Sequence, residues 1–276
     1  NGGAFGLLIV EDNPEADGDI PVWASNELLL QISNIENVVR ANGKPYEIFD
    51  VKAGQWYRLR VSVVDPLGKP QELRFTSGCE VHKVASDGIW HSSIPGSQAS
   101  TFEMTGASRG DFAVRCSSPA STVNILCDDK VAAIVNVGAV EASPHELIAW
   151  TPMRPASLQD IASASVPDDN RFAIAIQRGS INQEPWKPDV PLNTIAFDEV
   201  HEWEIGDSRN HPFHLHLYHM LVVTRGGCGA HLEGEFYDTI AGPPCTVRFK
   251  TADIGQRCVF HCHVMQHGDI GALGWV

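Results

Sequence analysis

Trp56-Tyr57-Arg58-Leu59-Arg60-Val61-Ser62-Val63 is the stretch whose pattern decides the fold. Side chains on a strand alternate faces with period two. Tyr57, Leu59, Val61 and Val63 therefore share one face, while Arg58, Arg60 and Ser62 fall mainly on the other. Short runs rich in Val, Ile, Leu and aromatics recur at 28–32, 122–126, 131–137 and 172–177, separated by Gly, Pro, Asn and Asp clusters. Many short strands with regular turn signals predict an all-β chain built of Greek-key sandwiches or barrels.

The 276 residues are enough for one large domain or two ordinary ones. Residues 142–170 break the strand pattern with Pro144, Pro152, Pro155 and Pro167 among Ser and Ala. This region reads as a linker over 143–169, with one helical turn near 158–162. It separates a domain at 11–142 from one at 170–276. Residues 1–10 end in Leu7-Leu8-Ile9-Val10, which reads as a strand with no partner in view.

Composition narrows the class. Hydrophobic residues are 43% and charged residues 20%, which is globular rather than disordered. The longest apolar runs, 6–10 and 131–135, fall far short of the ~20 residues of a membrane span. Asn1-Gly2-Gly3 carries no basic start of a signal peptide. A net charge of −14 argues against a nucleic-acid partner, which needs a basic face. Seven cysteines is an odd number, so pairing leaves one as a reactive thiol or metal ligand.

Chemistry concentrates near the C-terminus. His211-Pro212-Phe213-His214-Leu215-His216 and His261-Cys262-His263-Val264-Met265-Gln266-His267 together hold seven ligating side chains. On strands, His214 and His216 point one way. His261 and His263 also share a face, with Cys262 on the opposite one. One strand can thus serve two metal sites. His211 and His267, each beside a turn, can return to the thiolate side. Two imidazoles and a thiolate in trigonal geometry form an electron-transfer copper site. The four remaining histidines suit a second, all-imidazole site. A zinc site has no need of one strand shared between two centres.

These two motifs resemble the C-terminal copper motifs of multicopper oxidases, a family that includes laccases, bilirubin oxidases and ferroxidases. The likeness extends along the chain. Asn42-Gly43-Lys44-Pro45-Tyr46, Gly54-Gln55-Trp56-Tyr57-Arg58-Leu59-Arg60 and Asp87-Gly88 resemble the family's second, copper-free cupredoxin domain. Tyr237-Asp238-Thr239 and Phe260 resemble its third, and residues 5–11 resemble the closing strand of its first.

The resemblance implies two cupredoxin-like domains and a residue-by-residue ligand set. His211, Cys262 and His267 would bind type 1 copper. His214 would bind type 2 copper, and His216, His261 and His263 the binuclear type 3 pair. Four coppers would be present in the intact enzyme. Phenolic or aromatic reductants would give single electrons at type 1 copper, at the edge of His267 or His211. Electrons would pass through Cys262 to His261 and His263, and O2 would be reduced to water at the trinuclear centre. Asp269, close in sequence to these ligands, would relay protons there. The family and the cysteine usage together imply a secreted protein.

The chain departs from the family pattern in three places. The family's trinuclear centre takes eight histidines, four of them from two His-x-His motifs in the first domain. Here no further His-x-His occurs, and His82 and His91 stand alone as ordinary surface or strand histidines. The implied partner is a first-domain polypeptide carrying those two motifs. A natural two-domain laccase keeps its first-domain motifs, so that arrangement does not fit.

The axial type 1 position, ten residues after the cysteine, is Ala272, and neither it nor Leu273 can ligate. A missing thioether favours Cu(I) and a higher potential, whereas a water admitted beside Ala272 would lower it. Cys258 stands where the family commonly has Trp, as a buried thiol or half a disulfide. Cys228–Cys245 and Cys116–Cys127 are the local pairings expected, with Cys79 or Cys258 available to bridge to a first domain.

Two alternatives stay open on this reading. Asp207, Glu233, Glu235, Asp238 and Asp269 lie near the copper motifs in sequence, as an Fe(II) or Mn(II) oxidase would require. Four methionines are too few for a Met-rich Cu(I) oxidase. The other alternative is a non-catalytic type 1 copper electron-transfer or structural fragment.

Overall fold

The structure is a computed structural model that describes residues 5–13, 15, 18–147, 149–252 and 257–276. The chain divides into two compact units. One comprises Asn1–Asp65 and Gln71–Met153, the other Pro66–Pro70 and Arg154–Val276.

The first unit is built of β1 (Glu27–Ile35), β2 (Val38–Ala41), β3 (Glu47–Ala53), β4 (Trp56–Val64), β5 (Pro70–Phe75), β6 (Cys79–Ser86), β7 (Ile89–Trp90), β8 (Thr101–Thr105), β9 (Arg109–Cys116), β10 (Ser121–Cys127) and β11 (Lys130–Val140). One sheet runs β2-β1-β4-β9-β6-β7 and the other β3-β11-β10-β5-β8. The pairs β1–β4 and β3–β11 are parallel, and the β4–β9 and β10–β11 ladders are antiparallel. Leu59, Val61 and Val63 enter the core between the sheets with Leu30, Ile32, Phe112, Ile125 and Val135.

The polar face of β4 is also covered. Trp56 packs with Trp23, Trp90 and Ala113 in a second cluster. Arg58 is 3% exposed. Its guanidinium donates to Asp111 (Nε–Oδ2 2.8 Å) and to Asp12, and sits 4.1 Å from the Trp90 ring. A buried cation of this kind survives only when its donors are matched by carboxylates.

The second unit contains β12 (Arg171–Ile174), β13 (Ile176–Gln177), β14 (Ser180–Ile181), β15 (Val200–Ile205), β16 (Phe213–Leu215), β17 (Met220–Val222), β18 (Phe236–Tyr237), β19 (Thr239–Ile240), β20 (Cys245–Lys250), β21 (Val259–Cys262), helix α1 (Met265–Asp269) and β22 (Leu273–Trp275). Its sheets run β12-β15-β20-β17-β18 and β19-β16-β21-β22, with β13-β14 as a separate hairpin. Trp203 centres the core. Phe249 meets it edge-on at 4.9 Å and Phe260 at 5.3 Å, and Phe213 lies at 6.3 Å. Phe213 and Phe260 belong to β16 and β21, so aromatic packing anchors the two strands that carry the histidine motifs.

Several sequence expectations need correction. Residues 5–10 form no strand, because a strand requires a laddered neighbour. Residues 1–4 of the expected strand lie outside the described residues. The run at 172–177 breaks at Ala175 into β12 and β13. The helical turn is a 3-10 turn at Ala156–Leu158. Residues 143–169 are not a free tether: Ile94 and Trp150 exchange backbone hydrogen bonds, and the Arg248 guanidinium donates to the Ala162 carbonyl.

The disulfides are Cys79–Cys116 and Cys228–Cys245. Cys79 and Cys116 are direct partners across β6 and β9, whereas Cys127 lies on β10 in the other sheet. Its thiol faces Gln71 Oε1 at 3.6 Å, so the Cys116–Cys127 expectation fails. Cys79 is thereby unavailable to bridge to another chain. Cys258 is a buried free thiol whose Sγ donates to the His216 carbonyl at 3.1 Å. His82 and His91 are buried rather than superficial. His82 bonds Glu80 at 3.0 Å and His91 bonds Ser86 at 3.0 Å.

Candidate metal centre

The ladder between β16 and β21 sets Phe213 opposite Cys262, His214 opposite His261 and Leu215 opposite Phe260. Directly opposed residues of an antiparallel pair share a face. Cys262 therefore turns inward, 1% exposed, while His214 and His261 meet on the other side. Two groups of donors result, one on each face.

The inward group is His211, Cys262 and His267. Cys262 Sγ lies 3.7 Å from His211 Nδ1 and 3.6 Å from His267 Nδ1, and the two Nδ1 atoms are 3.1 Å apart. A triangle of that size accepts a cation at about 2.0–2.3 Å from each donor. Two lone pairs at this separation repel unless a proton or cation lies between them. Burial pushes the Cys262 thiol up to about 11, against a backbone N–H from Val264 that favours the thiolate. Burial also lowers both His211 and His267, which favours the neutral rings that a metal requires.

The wall beside this triangle is apolar. Ala272 is fully buried and packs with Cys262 and Val264, with Ile176 against them. Its backbone is tied on both sides: Ala272 N–H donates to His267 O at 2.8 Å, and Cys262 N–H to Ala272 O at 3.0 Å. The Ala272 side chain thus offers no donor to this triangle.

The outward group is His214, His216 and His261. His261 Nε2 and His216 Nε2 are 3.2 Å apart. His261 Nδ1–H donates to the Cys262 carbonyl at 2.9 Å. His214 Nδ1–H donates to the Asp238 carbonyl at 2.9 Å, with the Thr239 hydroxyl at 3.1 Å. Protons held on Nδ1 leave the Nε2 lone pairs for a metal. His263 stands beside this group, with ring centroids 5.5 Å from His214 and 5.4 Å from His261. Its Nδ1 is buried without a hydrogen-bond partner, an orphaned lone pair or donor that a ligand would explain. Burial, reinforced by neighbouring histidines, drives both His261 and His263 down to about 4.

All seven sequence-predicted ligands are therefore gathered into two adjoining clusters. Asp269 is not: it is exposed at the end of α1. The carboxylate beside the imidazoles is Asp238, 3.6 Å from His214 Nδ1 and accepting from the Thr239 hydroxyl at 2.9 Å. Nearness in sequence pointed to Asp269. The better signal was the β19 register, which sets Thr239 opposite His214. The remaining acids disperse. Asp207 is held by Arg209, Glu235 is buried against Arg154 at 2.9 Å, and Glu233 accepts the Gly226 N–H at 2.8 Å.

The fold is cupredoxin-like, and its donors form two candidate metal sites. Residues 150–276, just under half of the chain, match the profile of the multicopper oxidase family. Enzymes of the family are copper-dependent oxidoreductases that use O2. A search of curated protein sequences finds no match.

Solved structures share the fold at low identity. A multicopper oxidase from Pseudomonas thermotolerans aligns over 94% of this chain and 69% of its own, at 18% identity and TM-score 0.75. One from Pediococcus acidilactici aligns over 91% and 58%, at 18% identity and TM-score 0.72. A laccase-like multicopper oxidase from Ochrobactrum, with oxidase activity towards lignin model compounds, aligns over 91% and 66%, at 17% identity and TM-score 0.68. The chain spans only 58% of the length of the Pediococcus oxidase.

Proposed function

We propose that this chain supplies the thiolate copper site and half of the imidazole copper centre of a laccase-like oxidase. The observation that carries this reading is the pair of donor clusters on opposite faces of β21, with His261, Cys262 and His263 consecutive in the chain. His211, Cys262 and His267 hold one copper. His214 holds the type 2 ion, and His216, His261 and His263 contribute to the type 3 pair. Copper in these sites supplies one-electron redox chemistry and the reduction of O2 to water.

The chain's own residues do the rest. Cys262 joins the inward site to His261 and His263 through single peptide units, a short covalent path for an electron. Ala272, Val264 and Ile176 keep water from the sulfur side. Four histidines are half of what the family's trinuclear centre takes. The other four would come from two His-x-His motifs of a first cupredoxin domain. An electron carrier needs only the inward site, so the outward cluster favours an oxidase.

The reductant is phenolic or aromatic, met at the partly exposed edges of His211 and His267. A metal-ion oxidase would gather free carboxylates there; Asp207, whose charge reaches His211, is paired with Arg209, and Glu235 with Arg154. The two disulfides favour an oxidising, extracellular setting. No helix among the described residues is long and apolar enough to cross a membrane.

The test is anaerobic stopped-flow bleaching of the thiolate–copper band. Bleaching by a phenol and not by Fe(II) or Mn(II) supports this reading. Bleaching by the metal ions alone replaces it with a metal oxidase.

A further inference from the structure

The segment Pro66–Pro70 belongs to the second unit. It lies across the loops that carry the ligands. Pro66 O accepts the Met265 N–H at 3.0 Å, and Pro212 O accepts the His263 N–H at 2.7 Å. Gly68 is buried between them, with φ +64. A Cβ placed on Gly68 would fall 2.9 Å from Pro212 Cγ, 3.1 Å from Pro212 Cδ and 3.3 Å from Val264 Cγ2.

Both touched residues are neighbours of ligands. Pro212 follows His211, and Val264 follows His263 while its N–H faces the Cys262 thiol. A proline ring fixes φ and cannot rotate aside, so pressure on Pro212 passes to the His211 backbone. Metal sites tolerate displacements of only about 0.5 Å in their ligands.

We propose that Gly68 is a positioning residue for the His211–Cys262–His267 site, a bare backbone surface that sets how close the His211 and Val264 loops approach the sulfur. This rests on the reading of that triangle as a copper–thiolate site. The requirement is spatial and not only conformational. Gly234 has a comparable φ of +79 but meets nothing within 4 Å, so it isolates the backbone cost alone.

The experiment compares Gly68→Ala, Gly234→Ala, Pro212→Ala and the Gly68→Ala/Pro212→Ala double variant in the full chain. Each is loaded with Cu(II). The readouts are affinity, the energy of the thiolate charge-transfer band and the copper hyperfine splitting. Gly68→Ala should weaken copper binding about tenfold or more and shift band and splitting, while Gly234→Ala does neither. Removing Cγ and Cδ at position 212 should relieve the contact, so the double variant binds no worse than Pro212→Ala.

Effects of Gly68→Ala that match Gly234→Ala, or that add to those of Pro212→Ala, overturn the proposal. A wild-type chain that shows no thiolate band overturns the copper reading and the proposal with it. A normal wild-type band with an unshifted Gly68→Ala overturns the proposal alone. Should Gly68→Ala fail to fold, hydrogen exchange on the wild type decides. A Met265 amide as slow as those of β21 supports the clamp, and one as fast as open loops refutes it.

Discussion

Thr239 lies directly opposite His214 in the β16–β19 ladder, and its hydroxyl stands 3.1 Å from the His214 Nδ1. With the Asp238 carbonyl at 2.9 Å, it fixes which ring nitrogen carries the proton. The free Nε2 then faces His216 and His261. Outer partners of this kind set ligand basicity and orientation together.

Thr239→Val should therefore weaken the outward cluster while keeping its shape. The side chain is 1% exposed, so the isosteric methyl fits, and the lost hydrogen bonds cost about 1 kcal/mol of stability. Cu(II) titration in a His211→Ala/Cys262→Ser background, where the inward triangle is dismantled, should show about tenfold weaker binding. Unchanged affinity would mean the Asp238 carbonyl alone positions His214.

The inward site should have a high reduction potential. The Ala272 side chain offers no donor, and it packs with Cys262, Val264 and Ile176. Ala272→Met would place a thioether beside the copper, stabilise Cu(II) and lower the potential in a redox titration. The larger side chain in a fully buried position should also cost about 1–3 kcal/mol of stability. A potential that rises, or stays the same, would show that water or another group already fills the axial position.

Acid should destabilise the second unit well before its carboxylates titrate. His201 is 1% exposed and stacks on Phe249 with ring centroids 5.5 Å apart. Its Nε2–H donates to the Ala196 carbonyl at 3.0 Å, and its Nδ1 is buried without a partner. Burial holds its pKa below the ordinary 6.5, outweighing the Ala196 bond and Glu199. The unfolded chain takes up a proton near pH 6.5 and the folded one only at lower pH. Stability therefore falls as pH drops below 6.5 toward the folded value. His201→Phe should flatten the dependence of the denaturation midpoint on pH between about 7 and 5. An unaltered slope would assign the acid sensitivity to other histidines.

The two donor clusters were legible in the sequence because two local rules sufficed. Strand alternation separates Cys262 from His261 and His263, and a turn returns His211 and His267 to the thiol. What failed depended on contacts across distant parts of the chain. Cys79 meets Cys116 only because β6 lies beside β9, a pairing that spacing along the chain does not reveal. The placement of Asp238 beside His214 was hidden for the same reason, since ladder register decides which carboxylate reaches that ring. Alternation places Arg58 on the face opposite Leu59 and Val61 but does not reveal what covers it. The cluster around Trp23 and Trp90 covers that face, and only the fold brings Asp12 and Asp111 to neutralise it.

Cys262 with two imidazoles should form one copper site, and the outward histidines another. The most direct measurement is copper content with the visible spectrum, on the wild-type chain and on Cys262→Ser prepared identically. The wild type should load copper with an intense thiolate charge-transfer band. Cys262→Ser should lose that band entirely and still retain copper at the outward histidines. A band that survives Cys262→Ser, or a wild type that takes up copper without any such band, would contradict the assignment.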